Sequence, residues 1–210
     1  MSATIYQALA DAVIEGNQVK AVECTADLLK DGTDPKMILD NGLLKGMEVV
    51  GIKFRDNLIF VPQVLISARA FKSSLSILEP FLSKSDTEGM GTVVIGTVKG
   101  DIHDIGKNIV AMMLKSSGFR VVDLGIDVKA EKFIDAIKNE KAVILGMSAL
   151  LTTTMGYMKV VIDQIKNEHP SVKIIVGGAP ISSSFAEQIG ADGYAKNASD
   201  AVELSKRIIK

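Results

Sequence analysis

The chain has 210 residues, with 24 basic and 25 acidic side chains, a balance that excludes broad electrostatic attraction to nucleic acid or to an anionic membrane. Hydrophobic residues make up 47% of it, enough to fill one large or two small cores without disulfide staples. The amino terminus lacks a basic region followed by an apolar one, and no apolar run approaches the ~20 residues of a membrane span, so a cytoplasmic protein with no membrane partner is expected. Cys24 is the only cysteine; it cannot close an internal disulfide, and its apolar helical surroundings read as core.

From Thr4 to about Leu82 the periodicity is helical. Tyr6, Leu9, Ala10 and Val13 recur at helical spacing until Gly16-Asn17, and a second helix covers residues 19–29. Asp34-Pro35 then supplies an N-cap and a first-turn proline for a third helix through Met37, Leu43, Met47 and Val50 towards Phe54. A fourth opens at Val61-Pro62 and runs through Val64, Ala68, Phe71, Leu75 and Leu78. Four helices joined by short turns predict a small antiparallel bundle. The polar segment 83–90 has no period and marks a domain boundary, giving a helical domain over 1–88 and a second domain over 89–210.

Beyond that boundary, strand and helix alternate five times. Strands are expected at 92–97, 120–124, 142–147, 173–176 and 193–195, and helices at 105–117, 130–139, 153–168, 181–189 and 199–209. Short β-branched strands between helices imply a parallel sheet covered on both faces, a flavodoxin-like α/β fold.

The stretch Gly96 to Asn108 carries the chemistry. It follows an apolar β-branched run and leads into a helix, so His103 sits at the carboxyl end of the first strand, where ligands bind in open α/β sheets. Gly106-Lys107 has the ring of a phosphate-binding loop, but Asp101 stands where the first glycine belongs and Asn108 replaces the magnesium-holding Ser or Thr. A phosphoacceptor receiver domain needs an aspartate at the end of the third strand, where this chain has Ser148. His169, at a helix end, reads as an ordinary surface histidine. His103 differs, because Asp101 two residues earlier can take one ring N–H and raise the basicity of the other nitrogen, the arrangement of a metal-bound imidazole. One histidine is too few ligands for a bare transition metal. A metal here brings its other ligands with it, as a macrocycle does.

Asp101-Ile102-His103-Asp104-Ile105-Gly106, then Ser148-Ala149-Leu150, then Gly177-Gly178 resemble the D-x-H-x-x-G, S-x-L and G-G signature of cobalamin-binding domains in which a histidine replaces dimethylbenzimidazole under cobalt. The helical half, in Gly46-Met47-Glu48-Val49-Val50-Gly51 and Phe60-Val61-Pro62-Gln63-Val64, is similar to the cap of cobalamin-dependent methionine synthase and of methanogen and acetogen corrinoid proteins. The resemblance implies a base-off, His-on cobalamin with His103 as the cobalt ligand, Asp101 bonded to its other nitrogen, and Thr154 as the hydroxyl completing the relay, where the family more often has Ser. It implies that Gly106, Gly177 and Gly178 let backbone approach the displaced nucleotide tail and that Ser148 and Leu150 line its pocket. Gly100, Asp104, Ile105 and Thr152 join them as cofactor-binding positions. Phe54, Val61 and Val64 match positions that cover the methyl-bearing face, or are simply bundle core.

The activity implied is that of a methyl carrier, not catalytic alone. Methyl-Co(III) forms at the expense of a substrate-specific methyltransferase's donor, and a second methyltransferase passes the methyl group to a thiol or pterin, with a reductive activator protein as a further partner. The related alternative is a cobalamin-responsive sensor acting through protein contacts. The run Ser148 to Met155 is most similar to methylamine corrinoid proteins, while methanol, methoxylated aromatics and betaines use similar carriers.

Overall fold

The computed structural model describes residues 2–82 and 89–209. Residues 83–88, the greater part of the segment expected to separate the two halves, lie outside the described residues. The chain divides into two compact units, Met1–Gly89 with Ser116–Gly118, and Met90–Lys115 with Phe119–Lys210.

The first unit is helical: α1 (Ser2–Ile14), α2 (Gln18–Lys30), α3 (Pro35–Ile38), α4 (Lys45–Arg55) and α5 (Val61–Leu78). Asn17 and Asp34 cap α2 and α3 by accepting the Lys20 and Lys36 amides at 3.1 and 3.0 Å, which answers the orphan donors of a helix start. The expected third helix is a continuous run of α3 and α4 joined by a wider π turn, Leu39–Leu44. Gly46 explains part of the G-M-E-V-V-G motif structurally, because a Cβ there would meet Val13 Cβ at 2.8 Å and the Ala10 carbonyl oxygen at 2.9 Å. Its bareness lets α4 lie against α1. Gly16, at φ +69°, does the same for the turn after α1, where a Cβ would strike Ile66 Cγ2 at 2.3 Å. Cys24, expected as core, is only half-buried; Ala21, Thr25 and Leu28 take the inward face of α2 instead. That burial pushes its thiol pKa up.

The second unit is a five-stranded sheet of order β2-β1-β3-β4-β5, with β1 (Thr92–Thr97), β2 (Arg120–Asp123), β3 (Ile144–Ser148), β4 (Lys173–Gly177) and β5 (Gly193–Tyr194). All four pairings are parallel. Helices α6 (Ile105–Lys115), α7 (Ala130–Glu140), α8 (Thr152–Met155), α9 (Tyr157–Glu168) and α10 (Ser183–Ile189) fill the crossovers, and α11 (Ala198–Ile208) follows β5. Every residue of β1 is buried, as a central strand covered on both faces demands. The order reverses between β1 and β3, so their carboxyl ends open the crevice in which such sheets bind ligands. The helix expected over 153–168 is split at Gly156, a weak helix former.

Among the described residues, no helix is long and apolar enough to cross a membrane.

Candidate functional site

At the carboxyl ends of β1 and β3 the loops bring Asp101, His103 and Thr154 together. Asp101 is wholly buried, and its carboxylate accepts five bonds. Oδ1 takes the His103 amide at 3.1 Å and His103 Nδ1 at 2.7 Å. Oδ2 takes the amides of Leu150 and Leu151 at 2.7 and 3.2 Å and the Thr154 hydroxyl at 2.8 Å. Burial alone pushes this carboxyl up, yet the Leu150 amide, the His103 ring and amide, and the Thr154 hydroxyl hold it well below the usual carboxylate range. An ionised carboxylate can only accept. Nδ1 of His103 therefore carries a proton, and in the neutral ring Nε2 is the nitrogen left to bind a ligand.

The backbone fixes that ring as firmly as the side chain does. Thr97 Oγ1, buried at the end of β1, donates to the His103 carbonyl at 2.8 Å. His103 itself stays open, its side chain 46% exposed. Of the three consecutive threonines, Thr154 is buried at the relay, whereas Thr152 and Thr153 are exposed at the start of α8. Its hydroxyl also lies 3.0 Å from the Leu151 carbonyl, but a single proton favours the charged oxygen.

The remaining motif residues fall along the same rim. Gly100 has φ +83°, and its amide donates to Asp127 Oδ1 at 2.7 Å. Asp104 accepts the Asn108 side-chain amide at 3.0 Å and begins the turn into α6. Ser148 ends β3 between Thr97 and Gly177 in register. The three glycines expected along the nucleotide tail behave differently. A Cβ on Gly106 would meet nothing within 4 Å, so open space lies beside it. A Cβ on Gly177 would press the Ala195 carbonyl at 2.9 Å, and one on Gly178, at φ +131°, would run into the Ala149 carbonyl at 1.9 Å. The chain's own packing already demands the last two.

Ile105 and Leu150 were expected at the cofactor, while Ile102, Leu151 and Lys107 were missed by sequence reasoning. Ile102 and Ile105 flank His103 at 71% and 77% exposure, and Leu150 and Leu151 are also exposed. Large apolar side chains turned to solvent beside a polar site mark a surface for an apolar partner. Lys107 was also unassigned. Its side chain is 2% exposed, with Nζ 2.6 and 2.7 Å from the Asp123 carboxylate and 2.7 Å from Asn108 Oδ1, which ties α6 to the end of β2. Its sequence signal was only its place in the Gly106-Lys107 pair of the rejected phosphate-binding pattern.

In the helical unit, Val64 is wholly buried, and Phe54 and Val61 are half-buried. The exposed apolar side chains of that unit include Leu58, Phe60, Leu65 and Ile66. Gln63 Oε1 accepts the Phe60 amide at 3.1 Å, fixing the turn into α5.

Two family models, each described as a B12 binding domain, match residues 91–203 and 5–79. The chain belongs to the B12-binding corrinoid proteins. It is 43% identical to a corrinoid protein of Desulfitobacterium hafniense strain Y51, over 100% of this chain and 99% of that one. It is 41% identical to trimethylamine corrinoid protein 2 of Methanosarcina mazei, over 95% and 94%. The crystal structure of the methanol:cobalamin methyltransferase complex of Methanosarcina barkeri matches with a TM-score of 0.88 at 34% identity, over 98% of this chain and 80% of that chain. These relatives carry the expected fold, a helical amino-terminal part followed by a Rossmann-like sheet.

The cofactor of this family is a corrinoid, and the residues present fit one. Among the described residues no three His, Cys, Asp or Glu are gathered, so a metal at His103 must come with its other ligands in place. A corrin provides them around a flat, largely apolar ring. The free Nε2, the apolar side chains of Ile102 and Ile105 beside it and the open space at Gly106 suit such a group.

Proposed function

We propose that this corrinoid protein carries a methyl group on a cobalamin held base-off, with His103 Nε2 as the lower ligand. The observation that carries the reading is the His103 Nδ1 to Asp101 Oδ1 bond of 2.7 Å, which commits one ring nitrogen and leaves the other for cobalt. Bound, the corrinoid supplies the cobalt on which the methyl group travels.

Asp101 holds the imidazole in one tautomer and offsets positive charge on the ring. Because its donors keep it ionised, Asp101 would remain an acceptor towards the ring and would not take the Nδ1 proton. Thr154, bonded to the oxygen that the ring does not use, fixes the carboxylate plane. Ile102, Ile105, Leu150 and Leu151 offer apolar area to the ring and its tail, and each side chain fully covered contributes about 1.5–3 kcal/mol. Gly100, Asp104, Gly106, Ser148, Thr152, Gly177 and Gly178 are assigned to the surroundings of the nucleotide tail, the last two through the chain path they permit. To the helical unit we assign shielding of the methyl-bearing face, through Phe54 and Val61, while Val64, buried, supports α5 from within.

The partners are a substrate-specific methyltransferase, a second methyltransferase delivering to a thiol or pterin, and a reductive activator, all in the cytoplasm. The names of the relatives favour a methylamine or methanol as donor. The test is reconstitution with cobalamin, reduction, and addition of a methylamine or methanol with its methyltransferase, followed by visible spectroscopy. Cobalt that is methylated and then demethylated by an acceptor enzyme is expected. Stable binding of cobalamin with no methylation by any donor system would contradict the carrier reading and favour a sensor.

A further inference from the structure

We propose that Asp127, on the loop between β2 and α7, is a positioning residue that sets how His103 meets its ligand; the inference rests on His103 being the cobalt ligand. Asp127 is clasped to the backbone of the histidine loop at two adjacent residues. Its Oδ1 accepts the Gly100 amide at 2.7 Å, and its own amide donates to the Asp101 carbonyl at 3.0 Å. Around this clasp the two loops are zipped together: the Thr97 amide donates to Gly125, the Val128 amide donates to Thr97, and Val98 bridges Val128.

Two features mark the clasp as more than a loop contact. Asp127 sits at φ +52°, a left-handed conformation that costs a non-glycine residue about 1 kcal/mol and persists only where its surroundings hold it. Gly100, its partner, is also left-handed, at φ +83°, so its amide is aimed at the carboxylate by a backbone turn few other residues adopt. Between Gly100 and His103 lies only Asp101 with Ile102, and Asp101 is locked at its far end by the five bonds to its carboxylate. With the carboxylate pinned to the β3–α8 loop and the main chain pinned by Asp127, His103 has one position. Without Asp127 Oδ1 the Gly100 amide loses its acceptor. The Asp101 amide still donates to the Val98 carbonyl at 3.1 Å, so the turn before Asp101 is loosened rather than released, and the imidazole is presented less firmly.

The test uses the full chain loaded with cob(II)alamin. Electron paramagnetic resonance reads the fraction of cobalt that shows splitting from an axial nitrogen, and bound corrinoid is counted separately. Asp127→Gly relaxes the backbone but removes the acceptor, and is expected to lower the ratio of nitrogen-ligated to unligated cobalt roughly three- to tenfold, the effect of one hydrogen bond. The amount bound should be unchanged. Asp127→Asn keeps an acceptor oxygen and tolerates the left-handed backbone, and is expected to restore most of the ligated fraction. An unchanged ratio in Asp127→Gly, an Asp127→Asn variant as impaired as the glycine one, or a loss of ligation matched by a loss of thermal stability each overturns the inference. A wild-type protein with no nitrogen splitting overturns the ligand reading itself, and this inference with it.

Discussion

The two units of this protein keep their polar groups in opposite ways. In the α/β unit a fully buried carboxylate, Asp101, is surrounded by five donors from two loops. Among the described side chains of the helical unit, over residues 6–82, the buried polar ones are the hydroxyls of Thr25, Ser67 and Ser74. Thr25 returns its bond to Ala21 within its own helix, and Ser67 bonds the Ile14 carbonyl. A buried charge must be compensated by directed bonds, so its neighbours have narrow choices of residue type. Apolar packing accepts any side chain of about the right volume. Function is therefore written plainly in one unit and faintly in the other.

The comparison can be broken most forcefully at Gly178. Placing a Cβ 1.9 Å from the Ala149 carbonyl, on a backbone at φ +131°, leaves no relaxation that avoids moving the end of β4. Gly178→Ala is expected to destabilise the apo-protein by about 3–5 kcal/mol, read by urea unfolding. A loss below about 1 kcal/mol would show that the glycine is kept for the ligand and not for the chain. Asp101→Ala strands buried donors and should cost about 3 kcal/mol. If it left stability unchanged, the donor cage would be incidental.

The helical unit answers with smaller numbers. Val64→Ala removes two methyl groups from a wholly buried site and should cost about 1.5–3 kcal/mol in the apo-protein. Phe60→Ala, at an exposed position, should change stability by less than about 0.5 kcal/mol. If Phe60→Ala instead weakens corrinoid binding or speeds oxidation of reduced cobalt, the shielding surface extends to residues the motif did not single out. If Val64→Ala leaves stability alone, its burial is not what it contributes.

Acid gives a graded version of the same contrast. The folded-state pKa of Asp101 is depressed, with burial opposing and the Leu150 amide, His103 and Thr154 outweighing it. Its contribution to stability is therefore fully present above the unfolded value of about 3.9 and is lost as pH falls through that value towards the folded one. The apo-protein should lose stability between about pH 5 and pH 2, and Asp101→Asn should flatten that part of the profile. Equal slopes in wild type and variant would mean that other carboxylates dominate.

Much of the α/β unit was legible because strand ends in a parallel sheet are punctuated. The β-branched run 92–97 coincides with β1, and Asp101 and His103 follow it at a spacing that permits one tight turn. The identity of the relay hydroxyl was harder to read. Thr152, Thr153 and Thr154 are chemically equal, and only the helical rotation of α8 turns the third one inward. The split of the helix at Gly156 and the π turn at Leu39–Leu44 were hidden because single glycines are tolerated inside helices. Asp127 left no motif at all, since its role comes from a backbone angle and a neighbour 27 residues away. In the helical unit, Phe54, Val61 and Val64 fitted both a covering surface and a core. Burial separates Val64 from the other two, which sequence periodicity could not do.

The central claim is that His103 Nε2 is the ligand under cobalt, and nitrogen isotope labelling addresses it directly. Protein grown with 15N-histidine and loaded with cob(II)alamin should show each cobalt line split into a doublet, where unlabelled protein gives a triplet, and His103→Ala should show neither. A triplet that persists with labelled histidine would mean that the cofactor keeps its own base or takes another nitrogen, and would contradict the account.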